Sequence, residues 1–408
     1  MQTKPYQIDG KWFVSPWNYD AAVRKDLSFQ KEIILHDQTL RDGIQFSGIE
    51  LSDNEKVEIA ARLDAIGVRR IEAGRISAEP AYLNVVKRIC SARRNARIIG
   101  FVEMSTDLIH HAADCGVDGV ALCFPSNEKV ITEKMGVSVQ EVTRFAGQMV
   151  ETASRLNLKA ILFPTDAGRA DPTHYANMIR EIMQYGSVDA LTFVDTVGGC
   201  APFAIPHIVA FLRTITDKPI EVHFHNDFGN ATANTLMALA HGASVAHTTI
   251  LGVGERAGNA AFEEVTLGLR ILAGYDMGID LERLCDLSNY VAKAAALPIT
   301  PNRPIVGGKI FEIECLENLL GYYKAPEETA VKYTFPFKWD VVGHPPMDFA
   351  VGAETTLELL QIILNVLGKE NNSESGQKKL LAEIHRRAIA EKRSIPRTEL
   401  LTLLAHNQ

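Results

Sequence analysis

The chain has no long hydrophobic run. Nowhere do about 18 apolar residues follow one another, the length that a membrane-spanning helix requires, so no span is expected. The N-terminal Met1-Gln2-Thr3-Lys4-Pro5 lacks the apolar core of a signal peptide. Basic residues are not in excess either: the formal net charge is −8, which argues against a general nucleic-acid binder. Cysteine is sparse and unpatterned. Cys90, Cys115, Cys123, Cys200, Cys285 and Cys315 form no CxxC and no regular framework, and most sit in apolar surroundings, as reduced core residues of a cytosolic protein do. What is present is 408 residues, 46% of them hydrophobic and 23% charged, enough for a large core and for one barrel with an appendage.

From Glu32 onward, short apolar runs alternate with amphipathic stretches. The runs Glu32–Asp37, Arg69–Ala73, Arg97–Phe101, Gly119–Phe124, Lys159–Phe163, Ala190–Asp195, Ile220–His225 and Ala246–Leu251 read as strands. Helical patterns separate them, Asn54–Ile66 and Val139–Leu156 among them, with apolar residues at three- and four-residue steps. Ser52 and Asp53 can cap the first of these, and Gly67 follows its end. Eight β-α units over roughly 260 residues predict an α/β chain with a (β/α)8 TIM barrel across residues 31–290; a doubly wound sheet is the alternative on pattern alone. Residues 1–30, with Trp12, Phe13, Trp17 and Tyr19, read as an N-terminal arm lying on a larger body or on a neighbouring subunit. After about residue 290 the texture changes. Pro298, Pro301 and Pro304 interrupt helix, giving a linker subdomain at 291–350. Residues 351–408 form a smaller, mostly helical C-terminal subdomain, with helices at Leu357–Leu367, Gln377–Glu391 and Arg397–Leu404.

The seventh run carries the first chemical signal. In Glu221-Val222-His223-Phe224-His225-Asn226-Asp227 the histidines stand at i and i+2, which a strand points to one face, so they are spaced to share a metal ion. The same pattern also arises from one buried and one rim histidine with no metal. A carboxylate at another strand end changes the balance. His36 to Gln45 forms a polar loop after Ile33–Leu35, with Asp42 as a hard-metal ligand and Arg41 as a fork for carboxylate. A lone Arg-Asp pair is otherwise a surface salt bridge. A third loop, Gly252 to Ala260, again directly follows an apolar run. In a barrel these motifs, with Glu72 and Asp195-Thr196, all fall at the C-terminal ends of strands, where TIM barrels place their chemistry.

The combination of Thr39-Leu40-Arg41-Asp42-Gly43-Ile44-Gln45, His223-Phe224-His225-Asn226-Asp227 and Gly252-Val253-Gly254-Glu255-Arg256-Ala257-Gly258-Asn259-Ala260 resembles the metal-dependent TIM-barrel lyases and synthases that carry an Asp-Arg-Glu signature, Glu72 being the third signature residue. The Gly-Glu-Arg-Ala-Gly-Asn-Ala loop resembles the condensing branch, the isopropylmalate, homocitrate and citramalate synthases; the hydroxymethylglutaryl-CoA lyase branch carries a catalytic cysteine there, which this chain lacks. The resemblance implies a divalent ion (Zn, Mn or Mg) held by Asp42, His223 and His225, with Asn259 as a further ligand or holding a bound water. It implies a 2-oxo acid and an acyl-CoA as substrates, with Arg41, Thr196, Gln45 and Arg169 contacting substrate and Glu72 orienting Arg41. It also implies a homodimer in which the post-barrel segment reaches a neighbour's active site. The stretch Pro304 to Phe311 resembles the linker of these synthases, and the helical end resembles the subdomain that follows it, with no further regulatory domain expected.

The sequence departs from the family in the acid-base half. Thr165 stands where a strand-five glutamate is usual, Ile44 replaces a glutamate in the first motif, and Asn318 stands in the place of a catalytic histidine. Glu312 and Glu314 are the nearby carboxylates, and Tyr333 approximately matches a family tyrosine, so Glu314 and Tyr333 become the candidate acid-base groups. Three readings follow. The first is a condensing synthase with an unusual substrate pair. The others are a metal-dependent C–C lyase or aldolase and a non-catalytic barrel that binds an oxo acid.

Overall fold

The computed structural model describes residues 4–314, 331–369 and 373–406. Each apolar run becomes a strand buried on both faces, as a parallel sheet covered by helices demands. The eight strands are β1 (Ile34–Asp37), β2 (Arg70–Arg75), β3 (Arg97–Val102), β4 (Gly119–Pro125), β5 (Lys159–Thr165), β6 (Ala190–Asp195), β7 (Ile220–Phe224) and β8 (Val245–Thr248). They pair in parallel and in sequence, and β8 returns to β1, so the sheet closes into a barrel. The closing register sets His247 beside His36 and Thr248 beside Asp37. The eighth run ends earlier than its hydrophobicity predicts because Leu251 adopts φ 60°, a left-handed turn that no strand continues through.

A helix follows each strand, from Asp53–Ala65 after β1 to Phe262–Leu267 after β8. Local chemistry fixes their starts. The Ser52 side chain accepts from the Glu55 amide while the Glu55 carboxylate returns to the Ser52 amide, and Ser138 and Glu141 repeat this reciprocal cap at Val139–Arg155. Among the described residues no helix is long and apolar enough to cross a membrane.

The barrel lumen is divided by chemistry. β3 to β6 contribute an apolar wall of Ile99, Phe101, Ala121, Ile161, Phe163, Ala190 and Val194. β1, β2, β7 and β8 contribute His36, Arg70, Glu72, Glu221, His223 and His247, all buried. Buried charges are costly unless paired, so this polar half determines where ions and hydrogen bonds fall in the site.

The chain forms two compact units, Trp17–Ile299 and Met1–Pro16 with Thr300–Gln408. The boundaries differ from the sequence reading at both ends. Residues 1–30 do not form one arm. Gln7–Ile8 and Trp12–Phe13 make a hairpin whose Phe13 amide donates to Pro336 O, and Lys338 donates to Lys11 O, which ties the first residues to the later part of the chain. Residues 17–30 belong to the barrel unit: the Tyr19 hydroxyl donates to Ile271 O at 2.7 Å and Arg24 Nη2 to Ala273 O at 2.8 Å. The linker and the helical end are also one unit. Strands β9 (Glu312–Ile313), β10 (Asp348–Val351) and β11 (Ile395–Pro396) form a single sheet, and Phe311, Trp339, Phe349, Leu360, Ile384 and Leu400 share one core with the helices Leu357–Val366, Glu374–Glu391 and Arg397–His406.

Candidate metal centre and active site

On β7 the residues Glu221 and His223 face the lumen, and His225 continues the same face just past the strand end. His223 and His225 therefore meet: their Nε2 atoms lie 3.2 Å apart. Asp42, in the turn after β1, brings Oδ2 to 3.2 Å from His223 Nε2 and 3.7 Å from His225 Nε2. Ligands about 2.0 to 2.2 Å from one ion lie roughly 3 to 3.5 Å from each other, so these spacings fit a shared divalent cation. Two further observations agree. Among the described residues, both carboxylate oxygens of Asp42 are buried without a hydrogen-bond partner, Oδ2 having, apart from the two histidine contacts, only the Arg41 ion pair at 3.3 Å, and Asn259 Oδ1 likewise has no hydrogen-bond partner. Such acceptors need a cation or a donor. Burial holds His223 and His225 down at about 4, against the pull of Asp42, so both are neutral and able to ligate near pH 7. Burial opposes the charge of Asp42, but Arg41, His223 and His225 outweigh it and hold the carboxyl well below the usual carboxylate range.

Arg41 lies beside this group. Its Nε donates to Glu72 Oε1 at 3.0 Å, and its Nη1 lies 3.3 Å from Asp42 Oδ2. The guanidinium stacks over the Phe101 ring at 4.3 Å and near Phe163 at 5.3 Å, a cation–π cradle on the apolar wall that holds its plane. Burial raises the Glu72 carboxyl above its ordinary value, against the opposing effect of Arg41. Gln45 Oε1 lies 3.5 Å from Arg41 Nη1.

The loop after β8 is shaped by close approach. A Cβ on Gly254 would lie 2.1 Å from Asn259 Nδ2, and one on Gly258, at φ 85°, would lie 1.9 Å from Gly252 O. Only glycine lets this loop fold back so that Asn259 bridges to His225 and donates from Nδ2 to Val253 O at 3.2 Å. Arg256 clamps three loops together: it bonds Asp227 through Nε and Nη2 at 2.8 and 3.0 Å and donates to Thr196 O at 2.6 Å.

Of the residues singled out from sequence, Arg41, Asp42, Gln45, Glu72, His223 and His225 meet in one group, and Asn259 borders it. Thr196 and Arg169 form a second group joined by Asp166. The Thr196 hydroxyl oxygen accepts from the Asp166 amide at 2.8 Å, and Arg169 holds the Asp166 carboxylate at 2.7 and 2.9 Å. Glu314 and Tyr333 belong to the other compact unit. Glu314 Oε2 accepts from the Ser394 hydroxyl at 2.7 Å, Tyr333 is exposed, and Glu312 pairs with Lys309 at 2.8 Å. Cys315 and Asn318 lie outside the described residues.

Sequence reasoning passed over Gln38, His36, Arg70, Glu221 and His247. Gln38 lies inside the first motif loop, and its amide touches Glu72, His247 and His223. Two of the others alternate with residues that were noticed: Arg70 is two before Glu72, and Glu221 two before His223. Period two on a lumen-facing strand was the available signal.

Comparison with known proteins agrees with this geometry. A family model described as HMGL-like matches residues 32–291. Homocitrate synthase AksA of Methanothermobacter thermautotrophicus is 33% identical over 334 residues, 82% of this chain and 83% of that protein. (R)-citramalate synthase CimA of Methanocaldococcus jannaschii is 37% identical over 310 residues, 76% of this chain and 62% of that protein. Among solved structures, the HMG-CoA lyase of Bacillus subtilis superposes with a TM-score of 0.61 at 19% identity, covering 68% of this chain and 98% of that one; it shares the fold. Barrel, signature loops and relatives agree, and the chain belongs to the HMGL-like family.

Proposed function

We propose that this protein condenses an acyl-CoA with a 2-oxo acid to give a 2-hydroxy dicarboxylic acid and free coenzyme A. The observation that carries the reading is the convergence of Asp42, His223 and His225 on one point beside the Arg41–Glu72 pair. A divalent ion there (Zn, Mn or Mg) would polarise the keto group of the oxo acid as a Lewis acid. The protein's own groups supply the rest. As the acyl-CoA α-carbon loses a proton and its electron pair attacks the keto carbon, negative charge grows on the keto oxygen. Arg41, permanently cationic and held in plane by Glu72, Phe101 and Phe163, is placed to offset that charge. Asn259, whose Oδ1 is a buried acceptor, would be a further ligand or hold a bound water. Thr196 still has its hydroxyl proton to donate to the oxo acid's carboxylate, because its oxygen is the accepting side of the Asp166 contact. Gln45 and Arg169 complete the substrate-binding set. Glu314 and Tyr333 are assigned to proton transfer. Water then cleaves the thioester, leaving a carboxylate and the thiol.

The protein acts in this reading as a reduced, cytosolic homodimer; Cys90, Cys115, Cys123, Cys200 and Cys285 are all free thiols. The departures at Thr165 and Asn318 favour a second reading, a metal-dependent lyase or aldolase that needs no thioester enolisation. A panel of acyl-CoAs against a panel of 2-oxo acids, followed by thiol release, separates the two. Condensation gives thiol only when both substrates are present. Cleavage of a 2-hydroxy acid without thioester consumption would replace it. Metal analysis supplies the companion test: purified protein should carry close to one divalent ion per chain, and Asp42→Ala should lose it. Equal metal in both would remove Asp42 from the centre.

A further inference from the structure

Gln38 stands where the two halves of the site meet, and its amide has two N–H donors and one acceptor. Glu72, the partner of Arg41, approaches one end of that amide at 2.5 Å through Oε2. A carboxylate accepts, so this end is the nitrogen. His247 Nδ1 lies 3.0 Å from the same nitrogen and takes the second hydrogen. The carbonyl end then faces His223 Nδ1 at 2.8 Å, and only an N–H can satisfy that contact. With its proton committed at Nδ1, His223 carries a lone pair on Nε2, the atom 3.2 Å from both Asp42 Oδ2 and His225 Nε2. Flipping the amide would set its carbonyl against the Glu72 carboxylate and its NH2 against His223, which would move the histidine proton to Nε2 and block ligation.

A chain of contacts behind Gln38 opposes that flip. Because His247 accepts at Nδ1, its Nε2–H donates to Glu221 Oε2 at 2.8 Å. Glu221 is grasped at both oxygens by Arg70. Arg70 Nη2 also donates to His36 Nδ1 at 2.7 Å, leaving His36 Nε2–H directed toward Glu72 at 3.6 Å. The donors run in one consistent sense from His223 to Glu221. His36, Glu221 and His247 have the spacing of a second cation site, but the Arg70 guanidinium takes the cation's place there. By contrast, among the described residues His225 Nδ1 is buried without a partner, and none of them fixes its ring comparably.

We infer that Gln38 is the positioning residue of the metal centre: by donating to Glu72 and His247 and accepting from His223, it locks His223 in the tautomer whose Nε2 is free for the ion. The inference rests on the reading that Asp42, His223 and His225 hold a divalent ion. Groups that orient a metal-bound histidine in this way typically account for about 10- to 100-fold in metal affinity.

Two measurements test it. The first is 15N NMR of histidine-labelled, metal-free protein, with the His223 signals assigned by their loss in His223→Asn. His223 should show the proton on Nδ1. A proton on Nε2 would overturn the inference, and this result needs no Gln38 variant to fold. The second is Zn2+ affinity by competition with a chromophoric chelator, for the wild type and for Gln38→Met, which keeps the volume and removes both donors and the acceptor. Affinity should fall about 10- to 100-fold in Gln38→Met. Tight Zn2+ binding by the wild type with an unchanged value in Gln38→Met would overturn the role of Gln38 alone. A wild type that binds no Zn2+ would overturn the metal reading and this inference with it.

Discussion

At the scale of single residues, the site depends on which charges share which partner. Arg41 faces Glu72 through Nε and Asp42 through Nη1, a planar arrangement that the single ammonium of lysine cannot reproduce. Arg41→Lys should lower kcat at least about a hundredfold while metal content stays at the wild-type level, since the loss is of charge stabilisation in the transition state. Metal analysis alongside steady-state kinetics checks both halves. Asp37 makes a different prediction. Burial pushes its carboxyl up to about 7, with Glu263 and Glu72 adding to the rise, although the Thr39 amide and hydroxyl both donate to it. The folded state therefore keeps a proton that the unfolded chain releases near pH 4, and stability from this group falls as pH rises from about 4 to about 7. Asp37→Asn removes that titration. Chemical denaturation at pH 5 and pH 7 should show the wild type losing stability relative to the variant on going to pH 7. A constant difference would contradict the assignment. The candidate ligands Asp42, His223 and His225 were legible in the sequence because metal chemistry uses few residue types at fixed spacing. Gln38 was not: glutamine carries no such flag, and its meaning comes from His247, 209 residues away.

At the scale of elements, the strands were legible because buried parallel strands are short β-branched runs, and their positions followed within a few residues. β6 ends at Asp195 in both readings, whereas β8 stops at Thr248, ahead of the turn in which Leu251 is left-handed. The segments outside the barrel were less legible. The hairpin at Gln7–Phe13 owes its place to backbone bonds with residues 336–338, and no local pattern announces a partner so distant in sequence. The strand Glu312–Ile313 leads into Glu314, whose carboxylate is engaged by the Ser394 hydroxyl. If Glu314 moves the proton in condensation, Glu314→Gln should reduce turnover at least about a hundredfold with metal and oxo-acid binding nearly unchanged. Ser394→Ala, which leaves the carboxylate in place, should cost far less. Turnover within a few-fold of wild type in Glu314→Gln would remove that residue from the mechanism.

At the scale of the whole molecule, the lumen's division into an apolar wall on β3 to β6 and a polar half on β1, β2, β7 and β8 links fold to proposed function. The polar half supplies the candidate ligands and Arg41's partner, and the apolar wall supplies Phe101 and Phe163 against the guanidinium. Light scattering at micromolar concentration should report a dimer; a monomer would contradict the proposed assembly. Metal-dependent condensation is the central proposal, and one measurement reaches it most directly. Protein stripped by chelation and then reloaded with one divalent ion is assayed for thiol release from an acyl-CoA with and without a 2-oxo acid, with the product mass recorded. Release should require both the oxo acid and the ion, in step with a product whose mass is the sum of the oxo acid and the free carboxylic acid of the acyl group. Thiol release that ignores the oxo acid, or activity that survives without the ion, would contradict it.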